Sequence, residues 1–125
     1  MACHIAELRT DQIDAAIAFA AELGCEVVRD KIRNTMSLVA CEDETIIGLS
    51  IACETNNGQI DLYVGFNEKQ GDMTLARKLA DKALQKIHSH QIHHCHIVPV
   101  GAADTPEFWK QVNWLDLTLG KEDVA

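Results

Sequence analysis

Five histidines, His88, His90, His93, His94 and His96, fall within nine residues of this chain. If the apolar strand that starts at Cys95 extends back to His93, His94 and His96 share a face. That i, i+2 spacing permits chelation of Zn²⁺ or Ni²⁺. Cys95 then points to the opposite face, and a third ligand has to come from His88, His90 or elsewhere. No HExxH or CxxC companion is present. The competing reading is a polar helix-to-strand connection carrying surface imidazoles. A second grouping lies just upstream. Asn56-Asn57-Gly58 reads as a turn, Gln59–Phe66 as a strand, Asn67–Asp72 as a polar loop, and Met73–His88 as an amphipathic helix. A strand feeding through a short loop into a helix leaves free backbone N–H groups at the helix start, and these suit an anion such as a pyrophosphate. On the strand, Ile60, Leu62, Val64 and Phe66 share one face, while Asp61 and Tyr63, the chain's sole tyrosine, share the other.

The elements that hold these residues follow from periodicity. His4–Leu8 reads as a first strand. Thr10 or Asp11 can cap a helix with Ile13, Ala16, Ile17, Ala20 and Leu23 at helical spacing, ended by Gly24. Glu26–Arg33 is ambiguous and is read as a short second helix. Ser37–Cys41 and Ile46–Cys53 form a hairpin around the acidic turn Glu42–Glu44, and the Asn56–Gly58 turn adds Gln59–Phe66 to make an antiparallel meander. Because a helix intervenes, Cys95–Val100 is expected to return beside Gln59–Phe66 in parallel. Thr105-Pro106-Glu107 starts a short helix that Asn113 can end, and Trp114–Leu119 reads as a last strand. The expectation is one α+β domain over residues 1–125: a single mixed, mostly antiparallel sheet with helices on both faces, in the order β-α-α-β-β-β-α-β-α-β.

Bulk properties narrow the partners. The chain has 125 residues, 47% of them hydrophobic and 24% charged, as in a globular domain. Its formal net charge of −8 argues against nucleic acid and anionic membranes, which require a basic surface, and suits a cationic partner such as an amine. Five cysteines are scattered singly, and neither a leader-like segment nor a run long enough to span a membrane is visible. A cytoplasmic location with reduced thiols is expected.

The element order resembles the GNAT-type N-acetyltransferase superfamily over almost the whole chain. Many members carry Phe-Tyr-x-x-x-Gly-Phe before the last strand, and Phe108-Trp109-Lys110-Gln111-Val112-Asn113-Trp114 stands in that place here. The segment Phe66–Leu79 aligns with the acetyl-CoA motif without a gap. Phe66 falls at the strand-ending apolar position, Ala76 at the last small position, and Arg77-Lys78-Leu79 at the start of the helix proper.

The resemblance implies an acyl-CoA-dependent N-acyltransferase with acetyl-CoA as co-substrate. The fourth and fifth strands are expected to splay apart, with the pantetheine arm hydrogen-bonded to backbone near Val64 and Phe66. Backbone N–H groups of Gly71, Asp72, Met73, Thr74, Leu75 and Ala76 would hold the pyrophosphate, with Arg77 beside them. The amine attacks the thioester directly. Asp61 is the candidate general base, with Glu54 a second carboxylate at the end of the third strand, and Tyr63 is the candidate phenolic acid.

Several positions depart from the family pattern. The family loop is Arg/Gln-x-x-Gly-x-Gly/Ala, whereas Gly71 stands at the Arg/Gln position and Thr74 at the first Gly. Asp72 brings a negative charge beside the phosphates. Either it points away, with Lys69, Arg77 or Lys78 compensating, or Gln70-Gly71 plays the Arg-Gly part with one residue inserted. Trp109 occupies the tyrosine position, and an indole has no proton to give at neutral pH. Three readings follow. The first is the N-acyltransferase, acting on a small-molecule or protein amine. The second is a GNAT-like module without catalysis that binds a ligand or a protein, as a homodimer through its last strand. The third is a metal-binding protein using His94 and His96.

Overall fold

Alternation builds the sheet and helical periodicity builds its two covers. The computed structural model describes residues 3–55, 58–66, 73–92 and 95–101. Five strands, β1 (Cys3–Glu7), β2 (Leu38–Glu42), β3 (Thr45–Glu54), β4 (Ile60–Phe66) and β5 (His96–Gly101), lie in the spatial order β1-β2-β3-β4-β5. The first four run antiparallel to their neighbours, and β5 joins β4 in parallel, as a helical connection requires. The sheet is therefore mixed, and the fold is α+β. The short helix expected from Thr105 and the strand Trp114–Leu119 lie outside the described residues.

Helix α1 (Ile13–Glu22) covers one face. Gly24, at φ 89°, ends it, with its N–H on the carbonyl of Ala21 and that of Cys25 on the carbonyl of Ala20. The cap expected from Thr10 or Asp11 is made otherwise. The Gln12 Oε1 accepts the backbone N–H of Arg9 at 3.0 Å, while Asp11 pairs with the Arg9 guanidinium. Helix α2 (Met73–Ser89) covers the other face, with Leu79, Ala80, Ala83, Leu84 and Ile87 buried against Leu38, Ala52, Leu62, Val64 and Ile97. Removing each large side chain of this stripe from water stabilises the fold by about 1.5–3 kcal/mol.

The reading of Glu26–Arg33 as a helix is corrected. A single 3₁₀ turn, Arg29–Lys31, stands there instead, and a second, Asn34–Met36, follows it. Cys25 and Val27 are buried while Glu26 and Val28 are exposed, which is the alternation of an extended chain and not of a helix. The segment runs on to β3, where Ile32 pairs with Cys53 and the Arg33 N–H donates to the carbonyl of Ala52 at 2.8 Å. Donors and acceptors that β3 exposes beyond the end of β2 are thereby met.

The divergence expected between β4 and β5 is also corrected. Over the described residues the pairing is one-to-one, from Asp61↔His96 to Phe66↔Gly101, without a bulge. Space above the ladder is filled as well: a Cβ added at Gly65 would meet Val100 Cγ2 at 2.6 Å and Leu23 Cδ1 at 2.8 Å. Gly65 lets Val100 of β5 and Leu23 of α1 close over the strand.

Candidate functional site

Strand β4 connects the two ends of the site. At its far end the chain enters α2, which begins at Met73, so the N–H groups of Met73, Thr74, Leu75 and Ala76 have no partner one turn back within the helix. The Ala76 side chain is buried in the core, and Leu75 packs at its margin. Arg77 is half-buried in the same helix, and Lys78 is exposed. Gly71 and Asp72, with Lys69 and Gln70, lie outside the described residues.

At its near end β4 places Asp61 and Tyr63 on the α1 face, opposite Ile60, Leu62 and Val64, as alternation predicts. Backbone register then sets their neighbours. Cys53, Asp61 and His96 form one row across β3, β4 and β5, and Ile51, Tyr63 and Val98 form the next. Asp61 Oδ1 stands 3.6 Å from Nδ1 of His96, within ion-pair range and beyond a hydrogen bond. Glu54 is not a spare carboxylate, because the Arg33 guanidinium pairs with it. Asp61 and the first turn of α2 are thus separated by the length of β4. The six residues from Asp61 to Phe66 span roughly 17 Å.

The row is set among poorly hydrated neighbours. Burial, with smaller contributions from Asp61, Cys53 and Cys25, pushes the Tyr63 phenol up, so it keeps its proton throughout the neutral range. Burial raises the Cys53 thiol to about 11, helped by the charges of Cys25 and Asp61. Burial raises Cys25 and Cys41 as well, so these three are neutral thiols and not nucleophiles at neutral pH.

The histidines separate. Cys95 is buried on the α2 side, His96 is exposed on the other, and His90 Nε2 lies 3.2 Å from the carbonyl of Thr35. His93 and His94 lie outside the described residues. Among the described residues no group of three His, Cys, Asp or Glu side chains is placed to hold a metal ion. Among the described residues, cavities open on the α1 side. One of about 840 Å³ lies between α1 and the β2–β3 turn, lined by Arg9, Glu22 and Glu44 among others. Another, of about 340 Å³, lies at the C-terminal end of α1. Neither is lined by Asp61, Tyr63 or His96.

Sequence reasoning found Asp61 but missed its partner. A signal was present. Aligning the first buried residues of the two parallel strands, Ile60 and Cys95, sets Asp61 beside His96.

No family model matches the chain, and no curated protein matches it. Solved structures do. An acetyltransferase of the GNAT family from Staphylococcus aureus Mu50 is 15% identical, over 77% of this chain and 72% of that one, with a TM-score of 0.55. A predicted acetyltransferase from Clostridium acetobutylicum, with acetyl-CoA, is 11% identical over 94% and 92%, with a TM-score of 0.60. The fold is that of the GNAT-type N-acetyltransferases. The diaminobutyrate acetyltransferase EctA from Paenibacillus lautus, in complex with L-2,4-diaminobutyric acid and coenzyme A, shares this GNAT-type fold. It is 9% identical over 77% of this chain and 64% of that one, with a TM-score of 0.56. At such identities the likeness concerns architecture, and function has to be argued from the site. No helix among the described residues is long and apolar enough to cross a membrane.

Proposed function

We propose that this protein is an acyl-CoA-dependent N-acyltransferase that acetylates the amine of a small molecule or of a protein. One observation carries the reading. In a GNAT-type fold, β4 links the first turn of α2 at one end to the Asp61–His96 pair at the other. Amides at the helix start suit a diphosphate, and an extended pantetheine arm is of a length to reach from there back toward Asp61. Gly71, Asp72, Met73, Thr74, Leu75 and Ala76 would offer those amides, Arg77 would offset charge, and backbone at Val64 and Phe66 would hold the arm. The acceptor amine loses its ammonium proton to the polar row and attacks the thioester carbonyl. The C–N bond forms, the C–S bond breaks, and the thiolate takes up the second amine proton, with the neutral Tyr63 phenol close by.

Entry of the arm requires the pairs Gly65↔Val100 and Phe66↔Gly101 to part. A thermal-shift titration with coenzyme A tests the reading. Stabilisation that grows with ligand concentration is the expected result. No shift at millimolar coenzyme A overturns it.

The unbroken ladder, with Val100 and Leu23 over Gly65, favours a second reading: a GNAT-like module without catalysis that binds a ligand or a protein partner, as a dimer through its last strand. Absence of a coenzyme A shift, together with a dimeric mass in solution, is the outcome that selects it.

A further inference from the structure

We infer that His96 is the base that takes the proton from the acceptor amine, and that Asp61 is a positioning residue for it. This rests on the acyl-transfer reading above and deepens it. Three observations converge. The parallel register sets the two residues side by side on adjacent strands, so backbone pairing and not a flexible loop holds them together. The approach is made by Nδ1 of the imidazole, at 3.6 Å from the carboxylate, which leaves Nε2 on the opposite edge of the ring. Finally, the His96 side chain is 56% exposed and that of Asp61 26%, so a substrate arriving from solvent meets the imidazole first.

The Asp61 carboxylate faces the Nδ1 edge of the ring, and closing from 3.6 Å to hydrogen-bond distance it holds a proton on Nδ1 and leaves the lone pair on Nε2. Nε2 accepts the ammonium proton, and the neutral amine then attacks the thioester. The imidazolium returns the proton to solvent, so the balance is one ammonium and one thioester in, one amide, one thiol and one proton out. The alternative, Asp61 as base with His96 as a bystander, uses the less accessible of the two groups.

The test uses the full chain with acetyl-CoA, 1,3-diaminopropane as acceptor, EDTA throughout, and thiol release as the readout. His96→Ala and His96→Gln are each expected to lower kcat about 10²- to 10⁴-fold and leave KM for acetyl-CoA in place. Free imidazole in the medium should restore part of the rate in His96→Ala. Asp61→Asn is expected to lower kcat by less, with KM for the amine unchanged, and added imidazole should not help it. A rate within twofold of the parent in both His96 variants, with Asp61→Asn inactive, overturns the assignment alone. So does a His96→Ala deficit that imidazole leaves untouched. A parent protein that binds coenzyme A but releases no thiol with any amine overturns the acyl-transfer reading, and this assignment with it.

Discussion

The two faces of the sheet are built from the same strands and covered in opposite ways. Among the described residues, the α2 face is covered by a regular helix of 17 residues that lays one apolar stripe on Leu62, Val64 and Ile97. On the α1 face the cover is a shorter helix and then a stretch of turns, and the strands present Asp61, Tyr63, Cys53 and the neighbouring His96. The regular cover gives stability and excludes water. The irregular cover leaves polar groups half-exposed within a packed surround, which is where catalytic and binding groups are placed on a rigid scaffold.

The contrast can be broken by substitution. Leu79→Ala, at a fully buried site of the regular face, should cost about 3 kcal/mol, whereas Ile17→Ala, half-buried on the other face, should cost less than half of that. Urea unfolding followed by circular dichroism measures both. Gly65→Ala drives a methyl into Val100 and Leu23 and should cost about 2 kcal/mol by the same measurement. If the upper ladder parts to admit coenzyme A, this variant should also change the coenzyme A affinity.

Two buried serines sharpen the comparison. Ser37 Oγ donates to the carbonyl of Arg33 at 2.8 Å and accepts the Ala52 N–H at 3.0 Å. Ser50 Oγ, on β3, has no partner among the described residues. Ser37→Ala should therefore destabilise by about 1–2 kcal/mol, and Ser50→Ala should leave stability unchanged or raise it by up to about 1 kcal/mol. Equal losses at the two positions would refute the difference.

A further effect concerns pH. Cys53 ionises near 11 in the folded protein against 9.0 for an ordinary thiol. Its folded value is raised, so its contribution is fully present below pH 9. Between about pH 9 and 11 the unfolded chain loses the proton while the folded chain keeps it, and stability falls as pH rises. Cys53→Ala should flatten that fall in urea titrations at pH 8 and pH 10.5.

Most of the architecture was legible because period-2 and period-3.6 patterns report burial directly. The strand Gln59–Phe66, the helix from Met73 and the ending at Gly24 stand within a residue or two of their expected places. Glu26–Arg33 was misread because its polar residues, Glu26, Arg29, Asp30 and Lys31, suit a helix by type, while its order is set by a long-range bridge to β3 that no local pattern encodes. The candidate site was legible in part for the same reason. Asp61 and Tyr63 share a face by alternation alone, but the neighbour of Asp61 depends on register between strands joined by a loop and a helix. The straight β4–β5 ladder depends on packing by Leu23, a residue far away in sequence.

The bridge from Ile32 to Cys53 pins the covering segment to β3. In amide hydrogen exchange, Arg33, whose N–H is fixed to Ala52, should resist deuteration with the sheet, while the exposed tract just before it, from Val28 to Asp30, exchanges quickly.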